Sequence, residues 1–160
     1  MRTANVKDFF INMDGRMKDL LNPYQWNSLR ITLRTFEENL RRAQEWLDGK
    51  EEHGTLYQSK LVLHADSRKR AQREIKNALD QIAELSRLFE MPRENTNPAS
   101  LIRGEMSVSW ADLHDSRTHK LGRYGKVHPE LANMLDSEVQ HLAGIAQNLS
   151  MIFGEYEKEK

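Results

Sequence analysis

The residues best suited to chemistry lie in one stretch, DSRTHKLGRYGKVHPEL, which runs from Asp115 to Leu131. Within it, no acidic residue lies between Asp115 and Glu130, and four cations recur at every third position. They are Arg117, Lys120, Arg123 and Lys126, with Tyr124 among them. Cations that can approach one backbone together, beside a helix start and an aromatic ring, are what a phosphate site requires. One hypothesis is therefore a nucleic-acid or phosphate-binding site in the connection 116–128.

The alternative for the same stretch is a solvated connection between two helices. On a continuous α-helix, a spacing of three turns each cation about 60° from the last and spreads the charge around the surface. In extended or polyproline-like backbone the same spacing aligns the cations along one edge. Gly122 and Gly125 favour irregular backbone here. The spacing alone leaves both interpretations open.

A polar pair within a helical segment is the second candidate. The apolar repeat that follows residue 71, extended backward, places His64 and Arg68 at core positions. A buried polar layer of this kind can fix helix register or oligomeric state. A helix break near 64–67, or an Arg68 whose stem covers apolar surface, explains the same residues without a special role. The neighbouring cations between Arg68 and Lys76 provide a possible second contact for an anionic partner.

Metal binding is the third candidate. Glu138 and His141 have the E-x-x-H spacing found in carboxylate-bridged di-iron bundles. Asp115 and His119 could complete a mixed site if their helix packs beside Glu138, although scattered surface histidines are the simpler explanation. Glu138 lies beside an apolar repeat, on the same side of the helix as Leu131, Ile145 and Ile152. No cofactor is expected, and the chain contains no cysteine that could act as ligand or nucleophile.

Composition bounds the remaining function classes. The chain has 160 residues with 24 basic and 24 acidic side chains, so no global field attracts nucleic acid or anionic membrane. Charged residues make up 30% and hydrophobic residues 38%, a balance typical of long amphipathic helices. No apolar run reaches the length of a signal peptide or of a membrane span. The expectation is a cytoplasmic protein without a membrane partner.

Prolines and caps divide the chain into helical segments. Asn22-Pro23, Asn97-Pro98 and His128-Pro129 each place a capping residue before a proline that can occupy the first helical position. Thr55 and Gln58 have the spacing of a capping box. The predicted helices cover about 5–21, 23–48, 55–91, 98–120 and 129–157. Residues 155–160 form a charged tail that is expected to fray.

Apolar residues repeat with alternating steps of three and four in most of these segments. The repeats comprise Val6, Phe10, Met13, Met17 and Leu20; Trp26, Leu29, Leu33, Phe36, Leu40, Ala43 and Leu47; Ala71, Ile75, Ala78, Ile82, Leu85 and Phe89; and Ala132, Leu135, Val139, Leu142, Ala146, Leu149 and Phe153. A spacing of 3.5 residues keeps one seam against a partner helix, as in coiled coils and helical bundles. The sequence therefore predicts an all-α protein over residues 1–160. The expected form is a single, elongated antiparallel bundle of four long helices and one shorter helix.

This pattern favours an interaction function. Sustained apolar repeats, balanced charge and the absence of a familiar catalytic motif predict a non-enzymatic scaffold that self-associates and docks a protein partner through a helical face. Nucleic-acid or phosphate binding by the connection 116–128 is the first alternative. A metalloprotein that uses histidine and carboxylate ligands is the second.

Overall fold

The structure, a computed structural model, describes residues 17–155. In chain order its elements are a 3-10 turn (Met17–Leu20), α1 (Pro23–Leu47), β1 (Glu51–His53), β2 (Gln58–Lys60), α2 (Ala65–Leu88), α3 (Ala99–Asp115), α4 (Thr118–Leu121), a second 3-10 turn (Gly122–Tyr124) and α5 (Pro129–Gly154). The all-α prediction is confirmed, because the only sheet within the described residues is a two-stranded hairpin. No helix among these residues is long and apolar enough to cross a membrane.

Two helix starts are those that the sequence predicts. At α1, the Asn22 side chain accepts a hydrogen bond from the Gln25 N–H, and the Gln25 side chain accepts one from the Asn22 N–H, both at 2.9 Å. At α5, the His128 ring nitrogen Nδ1 accepts from the Glu130 N–H at 3.3 Å. Each start satisfies backbone donors that have no partner within the helix, and proline follows each cap.

The predicted helix start at Thr55 is wrong. Residues 51–60 form an antiparallel hairpin in which Glu51 lies opposite Lys60 and His53 opposite Gln58. The Gly54 N–H donates to the Tyr57 carbonyl at 2.8 Å. The Tyr57 ring packs so closely on Gly54 that any larger residue at position 54 would overlap it. Thr55 therefore lies in a turn, and the helix begins ten residues later.

The long segment predicted over 98–120 is interrupted. Helix α3 ends at Asp115, and Arg117 stands between Ser116 and the short helix α4. Of the helix predicted at 5–21, only the 3-10 turn lies within the described residues. The tail from residue 156 onward also lies outside them.

The described residues form two compact units, 17–93 and 94–155. In the first unit, α1 and α2 are antiparallel. The Trp26 indole N–H at the start of α1 donates to the Phe89 carbonyl at the end of α2, at 2.8 Å. At the opposite end, the Arg68 guanidinium donates to the Leu47 carbonyl.

The apolar repeat of α2 forms the better-covered side of this unit. Every residue predicted for the seam of α2 is buried or half-buried, and Ile75 and Ile82 are the most buried of them. Leu47 is the buried residue of α1. Phe36 and Ala43, also predicted as seam residues, remain exposed. The seam of α1 is therefore only partly covered by α2.

In the second unit, α3 and α5 are antiparallel. The hydroxyl groups of Ser107 and Ser150 are 2.9 Å apart, and the Arg103 side chain packs over Gly154. The buried residues of α5 are Val139, Ala143 and Ala146. The sequence placed Leu142 in this seam, but Leu142 is half-exposed and Ala143 takes its position. Ala143 lies only about 40° around the helix from Val139, and two small alanines let the helices approach closely.

Candidate functional site

Three of the four cations of the connection 116–128 each contact a different neighbour. The Arg117 Nε–H donates to the His114 carbonyl at 3.2 Å. The Lys120 ammonium lies 3.9 Å from an Asp115 carboxylate oxygen. The Arg123 guanidinium lies 4.8 Å from the centroid of the Tyr124 ring. Lys126 is exposed.

The backbone of this connection is irregular, as its two glycines favour. The short helix α4 passes into a 3-10 turn, and Gly125 has φ +148°, which strains other residues. The spacing of three residues therefore does not align the cations along a single helix face. Arg117 and Lys120 contact residues at the end of α3, and Arg123 contacts Tyr124 within the connection. The anion-site hypothesis stays a prediction.

A carboxylate that the sequence analysis missed holds the connection to α5. Asp136 accepts a hydrogen bond from the Thr118 N–H through one carboxylate oxygen and from the Thr118 hydroxyl through the other, both at 2.8 Å. The hydrogen bond from the backbone N–H is the main reason that the pKa of Asp136 is lowered, and the hydroxyl comes next. Charge on His119 and Arg117 acts in the same direction. Asp136 is half-buried although it lies outside the apolar repeat, and no spacing rule pairs it with Thr118.

This contact predicts a pH dependence. A lowered pKa in the folded state means that the Asp136 carboxylate stabilises the fold above the pH at which an ordinary aspartate titrates, and that this contribution is lost as pH falls through its own pKa. In NMR titrations, we expect the Thr118 amide signal to shift with a midpoint below that of an ordinary aspartate. Asp136→Asn should abolish the transition. A midpoint at the ordinary value would contradict the contact.

The predicted polar pair is split by the structure. His64 is the N-cap residue of α2, exposed and without a side-chain capping bond. Arg68 is half-buried and reaches the Leu47 carbonyl at the end of α1. Arg68 thus joins two helix ends, and His64 lies outside the helical seam.

The residues of the metal hypothesis are dispersed. Glu138 and His141 are exposed on α5, and Asp115 and His119 are exposed near the end of α3. Within residues 17–155, no group of three or more histidine, aspartate or glutamate side chains is placed to hold a metal ion.

A set of exposed apolar side chains lies along α3 and α5 in the second unit. Seven large aliphatic side chains of α3 and α5 are between 43% and 62% exposed. They are Leu101, Val108, Leu131, Met134, Leu142, Ile145 and Ile152, and we call them the α3/α5 face. By contrast, the buried side chains of this unit, within the part that the structure describes, are those of one valine and two alanines.

Helix geometry places these seven residues on one side of the hairpin. The five on α5 lie about 60 to 140° around the helix from the buried Val139, all in the same rotational sense. On α3, Leu101 and Val108 lie about 100 to 120° from the half-buried Ile102 in that same sense. Because the two helices are antiparallel, residues that lie in the same rotational sense from the buried side of each helix share one face of the hairpin.

Charge is sparse on this face and of one sign. Residues 139–154 contain no Asp, Glu, Lys or Arg. Glu138 lies within the apolar stripe of α5, and Glu105 and Asp112 alternate with Leu101 and Val108 on α3. One side of α5 carries polar residues such as Gln140, Gln147 and Asn148, whereas the apolar stripe beside its α3-facing side is left exposed.

The sequence carried part of this signal. One side of the α5 repeat is flanked by Leu131, Ile145 and Ile152. The absence of charged residues from 139 to 154 can also be read from the sequence. Because the sequence analysis assigned Leu142 to the buried seam, it did not show that the exposed apolar stripe on α5 is continuous. Comparison with protein-family models, with curated proteins and with solved structures finds no match for this chain.

Proposed function

We propose that this protein is a non-enzymatic helical interaction protein that self-associates through the α3/α5 face. The observation that carries the proposal is the continuous exposure of seven large aliphatic side chains on one side of a hairpin. Large contiguous apolar patches on a protein surface mark interaction sites, whereas single exposed leucines are ordinary.

The size of the face fits a stable interface. Seven half-exposed aliphatic side chains form a patch on the order of several hundred Å². A standard interface buries roughly 800 Å² on each partner, polar rim included. The patch therefore supplies most of the apolar centre that such an interface needs, and the carboxylates of Glu105 and Asp112 lie along it.

A second copy is the partner that this face fits. An apolar surface with few charges complements another surface of the same kind, because both lose their unfavourable contact with water on association. Two-fold association also uses one patch twice, so a single stripe on α5 is sufficient.

The test is the mass of the full chain by sedimentation equilibrium over a range of concentrations. The wild type, 18.7 kDa as a single chain, is expected to sediment at twice that mass at micromolar concentration. Leu142→Glu should weaken association by about 100-fold or more. Each dimer would lose two aliphatic side chains, worth roughly 1.5 kcal/mol each, and gain two carboxylates in an apolar contact.

Met151→Glu is the matched control. Met151 is 62% exposed and Leu142 50% exposed, but Met151 lies on the other side of α5. The control should leave the association constant nearly unchanged. A single-chain mass at every concentration, or equal effects of the two variants, would rule out self-association through the α3/α5 face.

A further inference from the structure

We propose that the second copy packs antiparallel on α5, across a two-fold axis that passes between His141 and Leu142. This inference rests on the proposed self-association and assigns its geometry. Three observations support it: the extent of the stripe on α5, the position of Glu138 within that stripe, and the charges that lie at the same level on the neighbouring elements.

In one antiparallel arrangement, the stripe on α5 faces the same stripe of the second copy over its whole length. It runs from Leu131 to Ile152, and its midpoint lies between residues 141 and 142. With the axis at this point, Leu131 meets Ile152 of the second copy at each end. Leu142 lies beside its own counterpart at the centre. Met134 then lies level with Leu149 of the second copy, and Ile145 lies level with its Glu138.

Glu138 disfavours the parallel alternative. In a parallel, in-register pair the two Glu138 carboxylates would share one layer of an apolar interface, where like charges are costly. In the antiparallel pair they lie seven residues apart along the axis, about 10 Å. Their repulsion is weaker at this distance, which is about one Debye length at 0.1 M salt. A single polar residue in an apolar seam commonly selects helix orientation in this way.

The charges of the connection 116–128 agree with the same axis. From the contact between Ser107 and Ser150, a step of eight to nine residues along each helix reaches the end of α3 near Asp115 and the middle of α5. An axis at this level sets the α3 of one copy, with Glu105 and Asp112, beside the connection of the other. The cations Lys120, Arg123 and Lys126 belong to that connection, so they lie at a similar level along the axis to these carboxylates. Complementary charge of this kind steers association and fixes register.

The experiment is disulfide cross-linking of full-length single-cysteine variants. The chain has no cysteine of its own, so each variant carries one thiol at a known position. A disulfide needs Cα atoms within roughly 4.4–6.8 Å. Leu142→Cys should cross-link with itself. Ile152→Cys alone should not, since its two copies lie about 30 Å apart. A mixture of Leu131→Cys and Ile152→Cys should yield the mixed dimer.

Sedimentation of each variant, under reducing conditions, separates the two proposals. A dimer in which Ile152→Cys cross-links with itself overturns the antiparallel arrangement and leaves self-association standing. A dimer without the Leu142→Cys and mixed cross-links overturns it equally. A wild type that remains a single chain overturns both proposals.

Glu138→Leu tests the reason for the orientation. Loss of the carboxylate should strengthen association and allow parallel pairs, so that Ile152→Cys in this background begins to cross-link with itself. An unchanged cross-linking pattern would show that Glu138 does not select the orientation.

Discussion

Val139→Glu is expected to unfold the α3/α5 hairpin, whereas Leu142→Glu, three positions along the same helix, should leave it folded. Val139 is 8% exposed and lies on the covered side of α5, near the level at which α3 ends and the connection begins. A carboxylate there would lose most of its contact with water, at a cost on the order of 3–5 kcal/mol. Because whole domains are stable by only about 5–15 kcal/mol, the loss is large.

Circular dichroism and amide hydrogen exchange across α5 measure this difference. Val139→Glu should lose protection along residues 132–153, and Leu142→Glu should retain it while failing to associate. The pair thus separates folding from association on a single helix. Equal protection in the two variants would contradict the assignment of Val139 to the buried side and Leu142 to the α3/α5 face.

Ile82→Ala is expected to destabilise the first unit by about 2–5 kcal/mol. Ile82 is 8% exposed on the side of α2 that faces α1, and its truncation removes apolar contacts and leaves a cavity. The expected result is a lower urea midpoint with little change in the slope of the transition.

Ile31→Ala provides the control with the same chemical change. Ile31 is 43% exposed and lies on α1 away from the seam, so its truncation should cost less than about 1 kcal/mol. Urea unfolding followed by circular dichroism compares the two variants directly. A loss in Ile31→Ala as large as in Ile82→Ala would mean that the outer side of α1 is also covered in solution.

These variants bear on one physical point, which is how much of each amphipathic helix is covered. The described part of the first unit buries Leu47, Ile75 and Ile82 but leaves Phe36 half-exposed. The second unit covers only one side of α5. Helical hairpins with partly covered seams gain stability from further partners, because burial of apolar surface is the main favourable term in folding and association.

The correct sequence predictions depend on local interactions. The starts of α1 and α5 follow from Asn22, His128 and the prolines after them, because a cap is formed by residues two or three positions apart. The seam of α2 follows from the periodicity of its apolar residues. The absence of charge over residues 139–154 is likewise readable from the sequence alone.

The errors concern contacts that no local pattern specifies. Thr55 and Gln58 match a capping box, yet pairing of Glu51 with Lys60 and the packing of Tyr57 on Gly54 form a hairpin instead. The contact of Asp136 with Thr118 spans eighteen residues and follows from how the connection meets α5. The single-domain and elongated-shape predictions remain predictions.

The sequence by itself determined that the chain is helical, where α1 and α5 begin, and that residues 139–154 carry no Asp, Glu, Lys or Arg. Only the tertiary structure decided which side of α5 faces α3. Leu142 and Ala143 both satisfy an apolar repeat, and the close approach of the two helices selects the smaller residue for the inside. That choice turns Leu142 outward and makes the apolar stripe continuous, because adjacent residues on an α-helix point about 100° apart.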